Sequence, residues 1–288
     1  MIKKFKKIIN LIVRENIFKY LNSKNETNSK NFPNIAFPAF DVIGPHISTY
    51  GRFENNELKV LENKVFSKID SSKSTCLDIG ANVGAYTKLL LLETNAKVIS
   101  FEPLPQAFED LKKIEEKNLD RLKVFNYAIG EKNDILELNY SDNKSEKASF
   151  TKDLDKLSFY EFKKNKKVKS EVLTLDSFFS KNLDLLSEDI DLIKIDTEGF
   201  ELEVIKGAKE TIKKKLPKYI QIEFNWHQLF KGQTLYNFSE HLEKYDLFQI
   251  LPYGNDLVKV DPNRPETNIY HLSNFVYIRK DISKSFNA

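Results

Sequence analysis

Three carboxylates and a histidine follow two apolar runs late in the sequence. Asp196 and Glu198 come directly after the run Asp191–Ile195, while Glu223 and His227 lie at the end of the next one. A carboxylate or an imidazole beside a hydroxyl group can take its proton. Two neighbouring carboxylates also raise the pKa of one of them, which makes that group a better base. We therefore predict that these four residues are catalytic.

Other roles for the same residues stay open at this point. Glu198 and Glu201 could cap the helix that follows, because acidic residues are favoured in the first turn of a helix. His227 could have a purely structural role. The three carboxylates could also hold a divalent metal ion through oxygen ligands, although we assign no metal ligand.

A turn that contains two glycines follows an earlier apolar run. The chain reads Asp-x-Gly-x-Asn-x-Gly from Asp78 and continues into a helix. Glycine has no Cβ, so the backbone can approach a ligand closely there. Asn82 replaces a glycine of the dinucleotide pattern Gly-x-Gly-x-x-Gly, which disfavours NAD and favours S-adenosylmethionine, with Asp78 meeting its ammonium group. The predicted cofactor-binding residues of this turn are Asp78, Gly80, Ala81, Asn82, Gly84, Tyr86 and Thr87.

Two further polar residues follow the next two apolar runs. Glu102 and Pro103 come after the second run, where a carboxylate can accept hydrogen bonds from both ribose hydroxyls. Asn126, at the end of the third run, could reach the adenine amino group or could be an ordinary turn residue. We add Glu102, Pro103, Asn126 and also Asp196 to the predicted cofactor-binding set.

The sequence between Asp196 and Gly199 narrows the reaction. Enzymes that methylate the amino groups of bases often carry Asn/Asp-Pro-Pro-Tyr/Phe at this place, and this chain has Asp-Thr-Glu-Gly. Methylation of cytosine carbon needs a nucleophilic cysteine in that region, whereas the single cysteine, Cys76, lies in the first apolar run. Acids at this place therefore favour an oxygen acceptor.

The elements that must position these residues are strands alternating with helices. Such alternation predicts an α/β fold with a mostly parallel sheet covered by helices on both faces, and ligands bind outside the carboxyl ends of its strands. Helices are predicted over 84–94, 104–118, 201–215 and 234–245. Strands are predicted at Ser74–Ile79, Lys97–Phe101, Leu122–Asn126, Asp191–Ile195, Tyr219–Phe224, Phe248–Pro252 and Asn274–Arg279.

An insertion over about residues 131–173 interrupts this alternation. Ile135–Tyr140 and Val168–Leu173 are predicted strands, and the stretch between them is polar and rich in lysine. The insertion is either a surface hairpin or a lid that helps to bind the acceptor, because long loops in compact domains often carry function.

Composition excludes several classes of protein. The 288 residues are 41% hydrophobic and 30% charged, which is typical of a globular chain. The 45 basic and 42 acidic residues are too balanced for a nucleic-acid binder, and one cysteine excludes a disulfide framework. No run of 18 apolar residues occurs, so no membrane-spanning helix is predicted.

Positive charge is concentrated at the amino terminus. Residues 1–30 hold eight basic and two acidic residues, a net +6, and the rest of the chain sums to −3. Apolar residues recur at helical spacing over 1–21, which indicates a helix that either rests on an anionic membrane or packs on the core. We predict a basic helix and linker over 1–33 and a catalytic domain over 34–288, in the cytoplasm because no signal peptide is recognisable.

Together these motifs resemble those of the FkbM family of S-adenosylmethionine-dependent methyltransferases, over about residues 50–250. The resemblance implies O-methylation of a sugar in a bacterial surface glycan or its precursor, or of a secondary-metabolite hydroxyl. It also implies a Rossmann-like class I sheet of seven strands with the last antiparallel. A non-catalytic scaffold in glycan assembly stays an alternative. The resemblance rests on residues 77–87, 101–103, 128–130, 173–176, 193–201 and 206–208.

Overall fold

A computed structural model describes the chain over residues 60–69, 73–141, 148–150, 166–185, 189–251, 256–268, 270 and 272–286. The predicted amino-terminal helix and linker lie outside these residues. Eleven strands occur in the described part: β1 (Ser74–Ile79), β2 (Lys97–Phe101), β3 (Leu122–Phe125), β4 (Ala128–Ile129), β5 (Asp134–Tyr140), β6 (Lys166–Leu173), β7 (Asp189–Ile195), β8 (Tyr219–Phe224), β9 (Tyr245–Leu251), β10 (Asp256–Lys259) and β11 (Ser273–Arg279).

Eight helices matter for positioning the site and flank the sheets. They are α1 (Ala85–Glu93), α2 (Pro105–Glu115), α3 (Leu175–Lys181), α4 (Glu201–Gly207), α5 (Lys209–Lys215), α6 (Trp226–Phe230), α7 (Leu235–Ser239) and α8 (Lys280–Ser283). The helix predicted over 201–215 is two helices, because the backbone leaves the helical conformation at Ala208, with φ −108° and ψ 10°. A Cβ on Gly207 would lie 1.9 Å from the Gly130 carbonyl oxygen. The helix predicted over 234–245 ends at Ser239.

The main sheet has eight strands in the order β10-β9-β11-β8-β7-β1-β2-β3. Strands β3, β2, β1, β7 and β8 are parallel, and β11 is antiparallel to both of its neighbours. The predicted α/β fold, with a mostly parallel central sheet flanked by helices, is confirmed. The number of seven strands is wrong, because the short segment Asp256–Lys259 pairs with β9 and adds an edge strand.

The core lies around the central parallel strands. Every residue of β1 is buried, and so are six of the seven residues of β7. Side chains such as Leu77, Ile193 and Phe224 are fully enclosed, and burying one of them contributes roughly 1.5–3 kcal/mol. This continuous apolar layer fixes where each strand ends.

The register of the parallel strands brings the predicted site residues to one edge. Ile79 is paired with Phe101 on one side and with Ile195 on the other, and Ile195 is paired with Ile222. The residues that follow these positions therefore leave the sheet at the same level. The glycine turn, Glu102, Asp196 and Glu223 all lie at this carboxyl edge.

The two strands of the insertion, β5 and β6, form a second sheet together with β4, in the order β4-β6-β5. Strands β5 and β6 are the predicted hairpin, paired from Asp134 opposite Val172 to Tyr140 opposite Lys166. Strand β4 runs parallel to β6 and joins this hairpin to the end of β3.

Candidate active site

The glycine turn after β1 is held by left-handed backbone at Gly80, Asn82 and Gly84, whose φ angles are 81°, 48° and 83°. A Cβ on Gly80 would lie 1.8 Å from the Asp196 carbonyl oxygen, and one on Gly84 would lie 2.4 Å from Ile114 on α2. Gly80 is therefore required by close packing against backbone as well as by its φ angle, whereas Gly84 is favoured mainly by its φ angle, because Ile114 Cδ1 is the end of a flexible side chain.

Asp78 is fully buried beneath this turn. Its Oδ2 accepts a hydrogen bond of 2.7 Å from the Thr87 hydroxyl, which also lies 2.7 Å from the Ser100 hydroxyl. Its Oδ1 lies 3.4 Å from the ammonium nitrogen of Lys194. In this arrangement the side chains of Asp78 and Thr87 support the turn from below, and direct contact between Asp78 and a ligand ammonium stays a prediction.

Lys194 is a site residue that the sequence analysis missed. Its Nζ lies 3.4 Å from Asp78, 3.3 Å from Asp196 Oδ2 and 5.3 Å from the centre of the Tyr86 ring. Burial alone lowers the pKa of Lys194, but the attraction of Asp196 and Asp78 outweighs it and raises the pKa above its ordinary value. The available signal was a charged residue inside the apolar run Asp191–Ile195, where an unpaired cation is too costly.

Tyr86 braces the turn from the other side. Its hydroxyl donates a hydrogen bond of 2.5 Å to Gln221 Oε1 on β8. Burial raises the pKa of Tyr86, with the Asp78 carboxylate adding to the effect, so the phenol stays a donor at neutral pH.

Glu102 lies at the end of β2 and is 6% exposed. Its Oε2 accepts a hydrogen bond of 2.7 Å from the Asn82 amide, and its Oε1 accepts one of 2.8 Å from the Leu104 amide. Burial raises the pKa of Glu102 to about 7, although these two amides act in the opposite direction. Glu102 and the glycine turn therefore meet, as the sequence predicted.

Asn126 lies next to Glu102 at the end of β3. Its Nδ2 donates to the carbonyl oxygens of Glu102 and Pro103, at 2.8 and 3.2 Å. These bonds fix the side chain so that Oδ1 is the acceptor left for a ligand donor. An adenine amino group is such a donor, and that role stays a prediction.

The predicted acids converge. One carboxylate oxygen from each of Asp196, Glu198 and Glu223 lies within 4.8 Å of the others, and all three side chains are partly buried. Such a group can accept several hydrogen bonds from a polar ligand, and it could also hold a divalent cation through oxygen ligands.

His227 contacts Glu198 from the interior of the protein. Its Nε2 is 2.8 Å from Glu198 Oε2, and the imidazole is 0% exposed while the Glu198 side chain is 23% exposed. Asn225 caps α6 by accepting from the His227 amide and also donates to Glu223 Oε2, at 2.8 and 2.9 Å. His227 can therefore orient Glu198, but its burial keeps it from touching an acceptor.

The backbone of Glu198 is also held from outside its own loop. Its φ is 52°, a left-handed conformation that non-glycine residues rarely adopt. Its carbonyl oxygen accepts a hydrogen bond of 2.6 Å from the Ser149 hydroxyl, and the Phe150 ring lies 5.1 Å from the Phe200 ring. The insertion thus contacts the loop that carries the acids. The sequence alone did not predict this contact, because it left open whether the insertion is a surface hairpin or a lid.

Glu201 is the acid that caps this loop. Its carboxylate accepts hydrogen bonds from the amides of Thr197 and Gly199, at 2.8 and 3.1 Å, and from Gln228 Nε2 at 2.5 Å. Burial raises the pKa of Glu201. Helix α4 has no side-chain cap at Phe200, so Glu201 holds the amides of the loop, and the Glu198 side chain points to His227.

Comparisons with known proteins cover the whole site. Residues 78–252 match the family model of the methyltransferase FkbM domain. The chain is similar to the 2-O-methyltransferase NoeI of Sinorhizobium fredii, with 28% identity over 212 residues, 70% of this chain and 84% of that protein. The matched range contains every candidate residue from Asp78 to His227.

Two solved structures give more distant matches. The precorrin-6y C5,15-methyltransferase of Geobacter metallireducens is 12% identical, with a TM-score of 0.39 over 79% of this chain and 87% of that one. An rRNA methylase of Streptococcus thermophilus is 10% identical, with a TM-score of 0.38 over 78% of this chain and 94% of that one.

Proposed function

The chain belongs to the FkbM methyltransferase family, and from that premise we propose that it methylates a hydroxyl oxygen of a carbohydrate. It is a methyltransferase, and S-adenosylmethionine is its methyl donor. The observation that carries the oxygen acceptor is the convergence of Asp196, Glu198 and Glu223 at the carboxyl edge. A hydroxyl group must lose its proton when it is methylated, and such a group of carboxylates can receive it.

The carboxyl edge fits the donor in chemistry. Each oxygen of Glu102 accepts one backbone amide, and a carboxylate has about four acceptor sites, so two ribose hydroxyls can still bind. The Asn126 Oδ1 would accept from the adenine amino group, and the turn from Gly80 to Gly84 would border the amino-acid end. S-adenosylmethionine supplies a methyl carbon on a positively charged sulfur, and carboxylates attract such a charge.

Glu198 is the residue that we propose as the base. Asp196 shares the Lys194 ammonium, so a proton on Asp196 would weaken that ion pair. Glu198 is more exposed than His227 and is oriented by it. As the acceptor oxygen replaces the donor sulfur on the methyl carbon, which leaves S-adenosylhomocysteine, Glu198 would take the hydroxyl proton, and His227 acts as a positioning residue.

Several features support a carbohydrate as the acceptor. Neighbouring hydroxyls on a sugar are donors that match the three clustered carboxylates. Trp226 begins α6 beside His227, with its ring centre 5.9 Å from the imidazole, and is the aromatic side chain that we propose for contact with a sugar ring. The similar protein NoeI is named as a 2-O-methyltransferase.

The test is methyl transfer by the purified full chain. We expect formation of S-adenosylhomocysteine with glycosides that offer neighbouring hydroxyls and none with the matched amino or deoxy sugars. Glu198→Gln should lower kcat by about 10²–10⁴-fold with little change in the Kd for S-adenosylhomocysteine, since it removes only the base. Glu210→Gln, in an exposed acid on α5, is the matched control.

Two results would overturn this proposal. Turnover of amino sugars alone would replace the oxygen acceptor by nitrogen. Full activity of Glu198→Gln would remove Glu198 as the base, and Asp196→Asn would then be the next variant to measure.

We also propose a location for the protein, at the cytoplasmic face of a membrane. In the described part of the chain, no helix is long and apolar enough to cross a membrane. The net +6 over residues 1–30 supports work in the cytoplasm against an anionic membrane face. In sedimentation with phosphatidylglycerol vesicles, the full chain should pellet with the vesicles, and a variant that lacks residues 1–30 should stay in the supernatant. Equal amounts of both proteins in the supernatant would exclude that contact.

A further inference from the structure

Lys194 connects the two halves of the carboxyl edge. Its ammonium is shared between Asp78 below the glycine turn and Asp196 in the acid cluster. It also lies 3.5 Å from the Gly80 carbonyl oxygen, inside the turn itself. The residue is only 7% exposed, and among the described residues its polar contacts include these groups and the ring of Tyr86.

Each of these contacts continues into the turn. Asp78 is held by Thr87 on α1, and the Asp196 carbonyl oxygen lies where a Cβ of Gly80 would stand. A shift of Lys194 would therefore move both the floor of the turn and the residue packed against its first glycine. No other described lysine has contacts to two carboxylates that belong to two different strand ends of the site.

We propose that Lys194 is a positioning residue for the methyl-donor site, acting through Asp78 and Asp196 to fix the glycine turn. Because Lys194 contacts Asp196, a change at Asp196 should alter the strength of donor binding. Asp196 is at the same time a member of the acid cluster. The inference rests on the methyl donor alone, so failure of the hydroxyl-acceptor assay would leave it intact.

A double-mutant cycle on S-adenosylhomocysteine binding tests this link. By calorimetry, Lys194→Met should raise the Kd about tenfold, and Asp196→Asn about threefold. The double variant should bind no more weakly than Lys194→Met, because Asp196 then has no lysine to act through. Additive losses would mean that Asp196 contacts the donor directly, and they would overturn the proposal.

Two further variants separate positioning from general damage. Lys194→Met leaves Asp78 buried beside Thr87 without its cation, so Asp78→Asn/Lys194→Met removes the stranded charge and should fold normally while still binding weakly. Binding by this variant at the wild-type Kd would overturn the proposal. Lys194→Arg should retain binding within about threefold.

The matched control removes a lysine from the opposite edge of the same sheet. Lys218 pairs with the fully buried Asp191 at 2.8 Å, and Lys218→Met should lower thermal stability without changing the Kd. An equal loss of binding in Lys218→Met and Lys194→Met would reduce Lys194 to a structural role and overturn the proposal.

Discussion

The two edges of the central sheet each bury an aspartate, but they pair it differently. At the amino edge, Asp191 receives a hydrogen bond of 2.8 Å from the Ser74 hydroxyl and an ion pair of 2.8 Å from Lys218. At the carboxyl edge, Asp78 meets Lys194 at 3.4 Å, and that lysine is shared with Asp196.

The difference lies in how the cation is divided. At the amino edge Asp191 has its own cation, Lys218, at short distance. At the carboxyl edge Lys194 is shared between Asp78 and Asp196, and the carboxylates of Glu198 and Glu223 converge with that of Asp196. A ligand that brings positive charge or hydrogen-bond donors adds to the partners of these carboxylates.

The largest expected effect breaks the carboxyl edge at its backbone. Gly80→Ala adds a Cβ that would lie 1.8 Å from the Asp196 carbonyl oxygen, at a φ of 81°. Strain and overpacking together should cost about 4 kcal/mol of unfolding free energy, and binding of S-adenosylhomocysteine should be lost. Gly232→Ala is the control, since its φ is 63° and nothing lies within 4 Å of the added Cβ; thermal melts that shift equally would contradict the packing argument.

A smaller effect breaks the amino edge alone. Lys218→Met leaves the Asp191 carboxylate buried with only the Ser74 hydroxyl, while Lys218 itself is about one-third exposed. We expect a loss of about 2 kcal/mol and a fall of about 4–8 °C in Tm. The Kd for S-adenosylhomocysteine should stay the same, and a large change in it would show that the two edges are not independent.

The smallest effect sharpens the comparison through pH. The pKa of Glu102 is raised to about 7, so its carboxylate becomes ionised as the pH rises through that value. Ribose hydroxyls donate better to the ionised form, so the Kd for S-adenosylhomocysteine should fall by up to about tenfold between pH 6 and pH 8. Glu102→Gln should remove this dependence, and an unchanged pH profile in that variant would assign it to another group.

The same raised pKa predicts the opposite trend for the stability of the unliganded protein. Between about pH 4.5 and pH 7 the folded state holds a proton on Glu102 that the unfolded state has lost. The contribution of Glu102 to stability therefore decreases as the pH rises through that window.

The strands that place the site could be predicted from the sequence because they are apolar runs that end in turn residues. Ser74–Ile79, Lys97–Phe101 and Tyr219–Phe224 have the predicted bounds. Buried parallel strands show this pattern most clearly, since both of their faces pack against the core. The carboxyl edge and its acids follow directly from it.

Features that depend on distant partners could not be predicted in the same way. The edge strand Asp256–Lys259 has a single buried residue, Leu257, and exists because β9 offers an unpaired edge. The helix predicted over 201–215 is interrupted at Ala208, whose backbone is not helical. Lys194 acquires its role only when β1 and β7 lie side by side.

Within the site, the sequence predicted which residue types come together, but it did not predict which residue contacts which. The convergence of Asp196, Glu198 and Glu223 was predicted from strand ends. The placement of His227 behind Glu198 depends on the cap that Asn225 provides for α6, and a sequence does not show which side of a short helix is buried.

The hydrogen bond from Ser149 to the Glu198 carbonyl has a consequence for engineering this enzyme. The hairpin of β5 and β6 is a segment that an engineer can exchange between relatives. A transplanted hairpin that lacks the Ser149 hydroxyl would also release the left-handed backbone at Glu198. The hairpin and the loop from Asp196 to Gly199 should therefore be exchanged together when segments are transferred between proteins.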